Sequence, residues 1–378
     1  MQKGIVRYCV AILMLLVTTC KKPYEPTVLI KGDNYLVVDG FINTSANGVT
    51  TLLLSRTKNL TDTVVSIPER NASVRIISAS GSNYPLQEQG DGMYVSNALQ
   101  LNGNTQYGIQ ITTAGGKQYA SDLVTPKQTP PIDSVSWVQD TAGVHVTVNT
   151  HDPQNNTRYY RWQYIQTWEY HAQLETAWGL QNNVIYPRTP TDQVFICYRT
   201  TNSTRVLLGS SAALSQDVIS QMPLFTIPSN DSTLAQRMSI LVKQYALTPA
   251  AHSYWQIIQK NSEQLGTLFD LQPSQLEGNL HCISNPNEPV VGFVTAGTET
   301  QKRIFISVFD LYDWRSPRGS YNCLVLTIPQ DPNDFSKWTY PDATYVPWYF
   351  ATGSIIIAKK VCIDCRESGG TTVKPAFW

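Results

Sequence analysis

Residues 158–171 read RYYRWQYIQTWEYH, and this stretch decides the fold class. Side chains of an extended strand repeat every two residues, so the spacing places a row of aromatic rings on one face of a strand. We call this row the aromatic stripe; its members are Tyr160, Trp162, Tyr164, Trp168 and Tyr170. The stripe favours half of a β-sandwich core with tyrosine hydroxyls at the rim. The alternative is a platform on which a sugar or peptide ligand stacks.

More β-like runs lie on the N-terminal side of this stretch, and none of them shows helical periodicity. Turns rich in glycine and asparagine, such as Asn47-Gly48 and Gly90-Asp91-Gly92, separate the runs at the spacing expected of a sandwich. We therefore predict strands at 35–41, 51–55, 74–77, 94–96 and 107–112.

The C-terminal side is also mainly β. Residues 144–149 (VHVTVN) alternate strictly, and 238–247 and 303–309 are further predicted strands. Thr248-Pro249 predicts the start of a helix that ends near Gly266, because threonine caps free amides and proline suits the first helical position. A shorter helix is expected from Ser215, with Asp217 in its first turn.

The proline cluster TPKQTPP at 125–131 marks a domain boundary, because proline lacks an amide donor and stiffens the chain. The predicted fold is mainly β, with two domains and one or two short helices. We expect an N-terminal Ig-like or fibronectin-like β-sandwich at 34–125, a proline-rich linker at 126–131 and a larger β-sandwich-type domain at 132–378.

The N-terminus has the order of an export signal. Lys3 and Arg7 precede an apolar run too short to span a bilayer, and Cys20 follows a small residue. This pattern resembles a bacterial lipobox, so we expect a signal peptide at 1–19, acylation of Cys20, and a lipid anchor and tether at 20–33. The expected location is the outer membrane, and the sequence does not decide between its periplasmic and surface faces. The alternative is a plain secretory signal or an uncleaved anchor.

Charge excludes one class of partner. The 378 residues contain 28 basic and 28 acidic side chains, a formal net charge of zero, and no basic stripe. Nucleic-acid binding is therefore not expected, because phosphates are gathered by positive charge.

Five cysteines remain beyond the N-terminal segment, and disulfides are the default outside the cytoplasm. Two bridges among five thiols allow fifteen arrangements. We expect a bond from Cys323 to Cys362 or Cys365; the full set of candidates is Cys197, Cys282, Cys323, Cys362 and Cys365. The spacing Cys362-Ile363-Asp364-Cys365 also leaves a redox pair or half a zinc site as alternatives to a structural role.

The sequence shows no catalytic motif. The histidines occur singly, and the motifs of acyl transfer, phosphoryl transfer and dinucleotide binding are missing, so we predict no catalytic residue, no metal and no cofactor. Asp331 and Asp334 suit a solvated turn better than a calcium site.

Several segments resemble a family of Bacteroidota lipoproteins, domain-of-unknown-function family 4249. The resemblance spans nearly all of the mature chain and includes 36–40, 92–94, Tyr107, 160–162, 244–248, Trp255, 266–274, 278–279, 362–366, 369–370, Pro375 and Trp378. It implies a β-rich lipoprotein whose gene often stands beside that of a TonB-dependent receptor. It brings no catalytic residues.

These features together predict a non-enzymatic accessory or binding partner of a TonB-dependent transporter, held on the membrane by acyl chains, with an unknown ligand. One alternative is a structural or adhesion module of the cell envelope. The other is a surface hydrolase with dispersed carboxylates, since such an enzyme needs no local sequence signature.

Overall fold

The computed structural model describes residues 34–57, 67–182, 184–263, 278–315, 323–329 and 344–378. The expected signal peptide, Cys20 and tether lie outside these residues, as do Gly266 and the pair Asp331 and Asp334. The described chain is mainly β, as predicted, with several sheets and two helices.

The predicted strands before the proline cluster are confirmed to within about two residues, and three more lie among them. The strands are β1 Leu36–Asn43, β2 Thr51–Arg56, β3 Ile67–Pro68, β4 Ser73–Ser78, β5 Asn83–Gly90, β6 Met93–Ser96, β7 Tyr107–Thr112 and β8 Gln118–Ser121. The turn between β5 and β6 is Gly90-Asp91-Gly92, and all three residues have positive φ. Glycine adopts such angles freely and aspartate is among the residues that tolerate them.

The middle of the chain contains the long strands of the second sandwich and the longer helix. They are β9 Ile132–Gln139, β10 Gly143–Asp152, β11 Tyr159–His171, β12 Trp178–Gln181, β13 Val184–Pro187, β14 Ile196–Asn202, β15 Leu207–Ser210, β16 Asp217–Pro228, β17 Arg237–Ala246 and α1 Pro249–Glu263. Helix α1 begins where the sequence predicts, and the Thr248 side chain accepts a hydrogen bond from the Ala251 amide (3.2 Å).

The last part of the chain adds shorter strands and a single-turn helix. They are β18 Leu280–Cys282, β19 Val291–Gly292, β20 Thr295–Gly297, β21 Glu299–Ser307, β22 Val325–Pro329, β23 Tyr345–Ala351, β24 Ser354–Lys359 and α2 Lys360–Ile363.

The first sheet has eleven strands. Three of them, β18, β19 and β20, follow helix α1 in the chain, after most of the second sandwich. Its order is β18-β8-β7-β4-β5-β6-β2-β1-β19, with β20 also paired to β1 and β3 to β2. Its two ends meet where Gly278 lies so close to the Gly292 carbonyl that a β-carbon would collide with it. The sheet therefore curls around one apolar core, to which Leu280, Val294 and Ala296 contribute.

The second sandwich consists of two facing sheets. One has the order β16-β10-β9, and the other has the order β14-β11-β17-β21 with β15 paired to β11. Apolar side chains of both sheets form a single buried cluster, among them Val146 of β10, Trp162 of β11 and Ile240 of β17. A hairpin of β12 and β13 and a small sheet β22-β24-β23 complete the fold.

The short helix expected from Ser215 was wrong. Residues 217–228 form β16, which pairs antiparallel with β10 over most of its length. The Asp217 carboxylate is buried and accepts hydrogen bonds from the Tyr160 and Ser211 hydroxyls. These partners and the apolar core contacts of β16 outweigh the local preference for a helix start.

Candidate functional site: a cleft between the two sandwiches

Residues of β11 that do not face the core line a cleft between the two sandwiches. Because side chains alternate along a strand, Arg161, Gln163 and Ile165 point away from the aromatic core residues Tyr160 and Trp162. The outer face of β1 and β2 forms the opposite wall. The cleft has a volume of about 480 Å³, within the range of roughly 300–1,000 Å³ that holds small molecules in proteins.

One set of charges in the cleft is already paired. The Lys243 ammonium lies 3.1 Å from the Glu299 carboxylate, and the Tyr245 hydroxyl donates to that carboxylate at 2.7 Å. Burial, and after it the Glu299 charge, raises the pKa of Tyr245. These residues join β17 to β21 and fix the floor of the cleft.

Arg161 is different, because its charge has no ionic partner among the described residues. Its guanidinium lies over the Trp255 ring of α1, 3.6 Å from the ring centroid. No described residue makes a hydrogen bond or ion pair with it, and burial lowers the pKa of the guanidinium despite the nearby charge of Asp39. The cleft therefore contains a largely desolvated cation whose donors are unused.

Asp39 lies on the opposite wall, on the outer face of β1. Its side chain is exposed and makes no hydrogen bond or ion pair within the described part of the chain. The neighbouring Phe41 packs edge-on against Tyr245, with 4.8 Å between ring centroids. This contact joins the two walls and fixes where Asp39 stands relative to Arg161.

Apolar and polar side chains together form the rest of the cleft wall. Val49 and Leu53 are 46% and 45% exposed, which is high for large apolar residues in strands or next to them. Ile165 and Leu247 lie on the facing side. The cleft thus combines one free charge of each sign with apolar patches that lie among uncharged polar side chains.

The aromatic stripe lies mostly in the core. Tyr160 and Trp162 are fully buried, and Tyr164 is buried against Phe225 with ring centroids 4.1 Å apart. Trp168 packs against the same core. Tyr170 is half-buried and its hydroxyl donates to the Cys365 carbonyl at 2.7 Å. These positions fit the core interpretation; only Tyr164 also borders the cleft.

Sequence reasoning missed Arg161 and Asp39, since it followed the aromatic positions of the strand and not the positions between them. A signal was present, because Arg161 stands between two aromatic residues in a strand with buried faces. A charge in such a place needs a partner or a function.

Four of the candidate cysteines form two disulfides. Cys323 bonds to Cys362, one of the two expected partners, and Cys197 bonds to Cys365. The two cysteines of 362–365 therefore bond to cysteines elsewhere in the chain and not to each other. Cys282, in β18 of the first sheet, is free and buried in the core of that sheet.

The histidines are dispersed. Four of them each lie 2.8–3.1 Å from one carboxylate: His145 and Asp140, His151 and Asp133, His171 and Glu169, His281 and Asp122. Within the described ranges no three metal-ligating side chains come together, and no helix there has the length and apolarity to cross a membrane.

Residues 21–303 match the family described as "Domain of unknown function (DUF4249)". A comparison with curated proteins found no match.

Several solved structures are similar at low scores. A DUF4785 family protein of Legionella pneumophila subsp. pneumophila str. Philadelphia 1 is 9% identical, with 55% of this chain and 52% of that chain covered and a TM-score of 0.20, so the match spans about half of that protein. The adhesin InvE of Yersinia pseudotuberculosis is 12% identical (57% of both chains, TM-score 0.14). The B domain of a biofilm associated protein is 8% identical (72% and 85%, TM-score 0.17).

Proposed function

We propose that this chain, which belongs to the DUF4249 family, is a non-enzymatic binding protein of the cell envelope whose interdomain cleft holds a small polar ligand. The observation that carries the proposal is the free guanidinium of Arg161 in a cleft of about 480 Å³. A desolvated cation without a protein partner is costly, and a ligand that pairs with it offsets this cost.

The contacts of the cleft support binding over catalysis. A glycoside hydrolase needs two working carboxylates that flank the scissile bond. Here Glu299 is held by Lys243 and Tyr245, which leaves Asp39 as the carboxylate of the cleft with a free side chain. One free carboxylate and the free guanidinium of Arg161 suit the recognition of a charged ligand, whereas hydrolysis would need a second free carboxylate.

We further propose that acyl chains on Cys20 hold the protein at the outer membrane, where it assists a TonB-dependent transporter in substrate capture. The lipobox-like order of residues 1–20 and the resemblance to Bacteroidota lipoproteins support this setting. Confinement to a membrane would raise the effective concentration of the protein near its partner.

Co-purification tests this function. The tagged full chain, solubilised from membranes in mild detergent, should bring a TonB-dependent receptor with it, and Cys20→Ser should move the chain to the soluble fraction and lower the yield of receptor. Cys282→Ala is the matched control, because it also removes a thiol but leaves the expected anchor. Recovery of the lipoprotein alone, in repeated preparations with the anchor intact, contradicts the transporter partnership.

A further inference from the structure

We propose that the ligand of the cleft is a small zwitterion, an amino acid or short peptide, whose carboxylate binds Arg161 and whose ammonium group binds Asp39. This inference rests on the proposed binding function and specifies the chemistry of its ligand.

The stack on Trp255 orients the Arg161 guanidinium. Stacking on Trp255 at 3.6 Å uses the flat face of the guanidinium. The N–H donors lie in the plane of that group, so stacking leaves them available at its edge. A planar fork of donors matches the two oxygens of a carboxylate, which it binds through two parallel hydrogen bonds. The ring of Trp255 therefore holds Arg161 ready for a carboxylate.

Asp39 supplies the complementary half of the recognition. Asp39 lines the same cleft as Arg161, on the facing strand β1, and its charge acts on the guanidinium. No ion pair joins Asp39 to Arg161 within 4 Å among the described contacts. The two opposite charges are close enough to interact and are not in contact, which is the arrangement that one molecule with both charges would bridge.

The other charges in the cleft do not compete for such a ligand. Lys243 and Glu299 neutralise each other, and Tyr245 donates to Glu299. A doubly negative group, such as a phosphate, would meet the repulsion of Asp39. A neutral sugar would leave Arg161 without a counter-charge. The balance of one free cation and one free anion thus favours a zwitterion.

The apolar patches of the cleft indicate which kind of side chain accompanies the two charges of the ligand. Val49 and Leu53 on one side and Leu247 on the other are positioned to cover an apolar side chain of the ligand. Burial of such surface contributes about 25 cal/mol per Å². A dipeptide with an apolar residue should therefore bind more tightly than glycylglycine.

Isothermal titration calorimetry of the full chain with four probes tests the inference. The probes are leucyl-phenylalanine, its N-acetyl form, its C-terminal amide and the form blocked at both ends. We expect the free dipeptide to bind most tightly, and each block to weaken binding by roughly tenfold or more, because each removes a charge-assisted hydrogen bond.

Two variants assign each end of the ligand to its residue. With Arg161→Gln, the free acid and the amide should bind equally weakly, while acetylation should still weaken binding. With Asp39→Asn, the free dipeptide and its N-acetyl form should bind equally weakly, while amidation of the C-terminus should still weaken binding. Arg303→Gln is the matched control: Arg303 also stacks at 3.6 Å, on Phe377, but it lies outside the cleft, so this variant should bind all four probes as the parent does. Thermal melting of every variant verifies that it is folded.

Other outcomes overturn the inference. Equal affinity for the four probes, or no heat with any of them, excludes a zwitterion. Binding of maltotriose that Arg161→Gln abolishes would also exclude it, while it would support the cleft as a binding site. The transporter partnership is tested separately by co-purification. A wrong inference about the zwitterionic ligand and a wrong proposal about the transporter would therefore give different results.

Discussion

At the scale of single residues, Gln244 shows how one side chain joins distant parts of the chain. It is fully buried, its amide donates to the Pro130 carbonyl and to the Thr150 hydroxyl at 2.9 Å each, and its oxygen accepts from the Trp162 indole at 2.8 Å. It thereby ties the proline-rich linker to the core of the second sandwich.

We expect Gln244→Leu to lower the free energy of unfolding by about 2 kcal/mol or more. The substitution leaves the Trp162 N–H buried without a partner, which costs about 1–3 kcal/mol. It also removes one of the two hydrogen bonds to the Pro130 carbonyl, whose other donor is the Thr300 hydroxyl. Urea-induced unfolding measures the change. The exposed Gln301 of β21 gives a control, since Gln301→Ala should change stability by about 0.5 kcal/mol or less. Equal effects of the two substitutions would contradict this role for Gln244.

Buried tyrosines predict a loss of stability in alkali. Burial raises the pKa of Tyr119 and of Tyr254 to about 12, and it also raises the pKa values of Tyr160 and Tyr245. The unfolded chain releases these protons near pH 10 while the folded chain keeps them. The stability that these tyrosines contribute is therefore fully present below about pH 10. The free energy of unfolding falls as the pH rises toward 12, by roughly 1.4 kcal/mol per pH unit for each tyrosine.

Urea unfolding at several values between pH 9 and pH 12 measures this slope, and absorbance at 295 nm follows the phenolates. Tyr254→Phe should reduce the slope by the share of one tyrosine. Were the slope unchanged in that variant, Tyr254 would not be one of the groups that titrate on unfolding.

The residue scale also shows what the sequence hides. Alternation predicted that Trp162 faces a core, and it does. Nothing local to Gln244 indicates burial, because its partners are 82 and 114 positions away. Arg161 and Asp39 line one cleft only because the two sandwiches meet there. The alternation of residue types along a strand identifies its buried face. The hydrogen-bond partners of a polar side chain depend on residues that are distant in the sequence, so the pattern does not predict them.

At the scale of elements, disulfides fasten the C-terminal segment to the rest of the protein. The Cys197–Cys365 bond links β14 to the turn after α2, across 168 positions, and the Cys323–Cys362 bond spans 39. The Tyr170 hydroxyl bonds the Cys365 carbonyl, and Thr371 pairs with Tyr198, so the segment also has hydrogen-bonded contacts.

We expect the double substitution Cys197→Ser/Cys365→Ser to destabilise the protein more than Cys323→Ser/Cys362→Ser. The loss of loop entropy in the unfolded chain predicts a stabilisation of about 5 kcal/mol by the disulfide that closes the longer loop and about 4 kcal/mol by the other. Unfolding in urea without reductant measures both, with Cys282→Ala as the control that removes only the free thiol. A long-loop variant as stable as the parent would show that the hydrogen bonds alone hold the segment.

Local signals predicted some elements and not others. Threonine and proline mark the start of α1, and alternation marks β10, β11 and β17. The strands β19 and β20 are two and three residues long and pair with β1 from more than 250 positions away. Such short runs carry no periodic signal of their own.

At the scale of the whole molecule, the chain crosses between the sandwiches three times. It leaves the first sheet after β8, builds the second sandwich, and returns as β18, β19 and β20 before β21 rejoins the second. The return brings Glu299 to the cleft, directly after β20. Cleft and first sheet therefore depend on the same returning segment.

This dependence predicts that residues 34–131 do not fold by themselves. Without 278–298 the first core loses Leu280, Val294 and Ala296, and β1 and β8 lose their outer partners. Exposed strand edges and a depleted core favour unfolding or aggregation. Residues 34–131 joined through a glycine-serine linker to 278–298 should instead give a dispersed amide NMR spectrum and a cooperative melt. A cooperative melt of 34–131 alone would show that the first sandwich folds without its returning strands. The returning segment could then be altered at the cleft without unfolding the first sandwich.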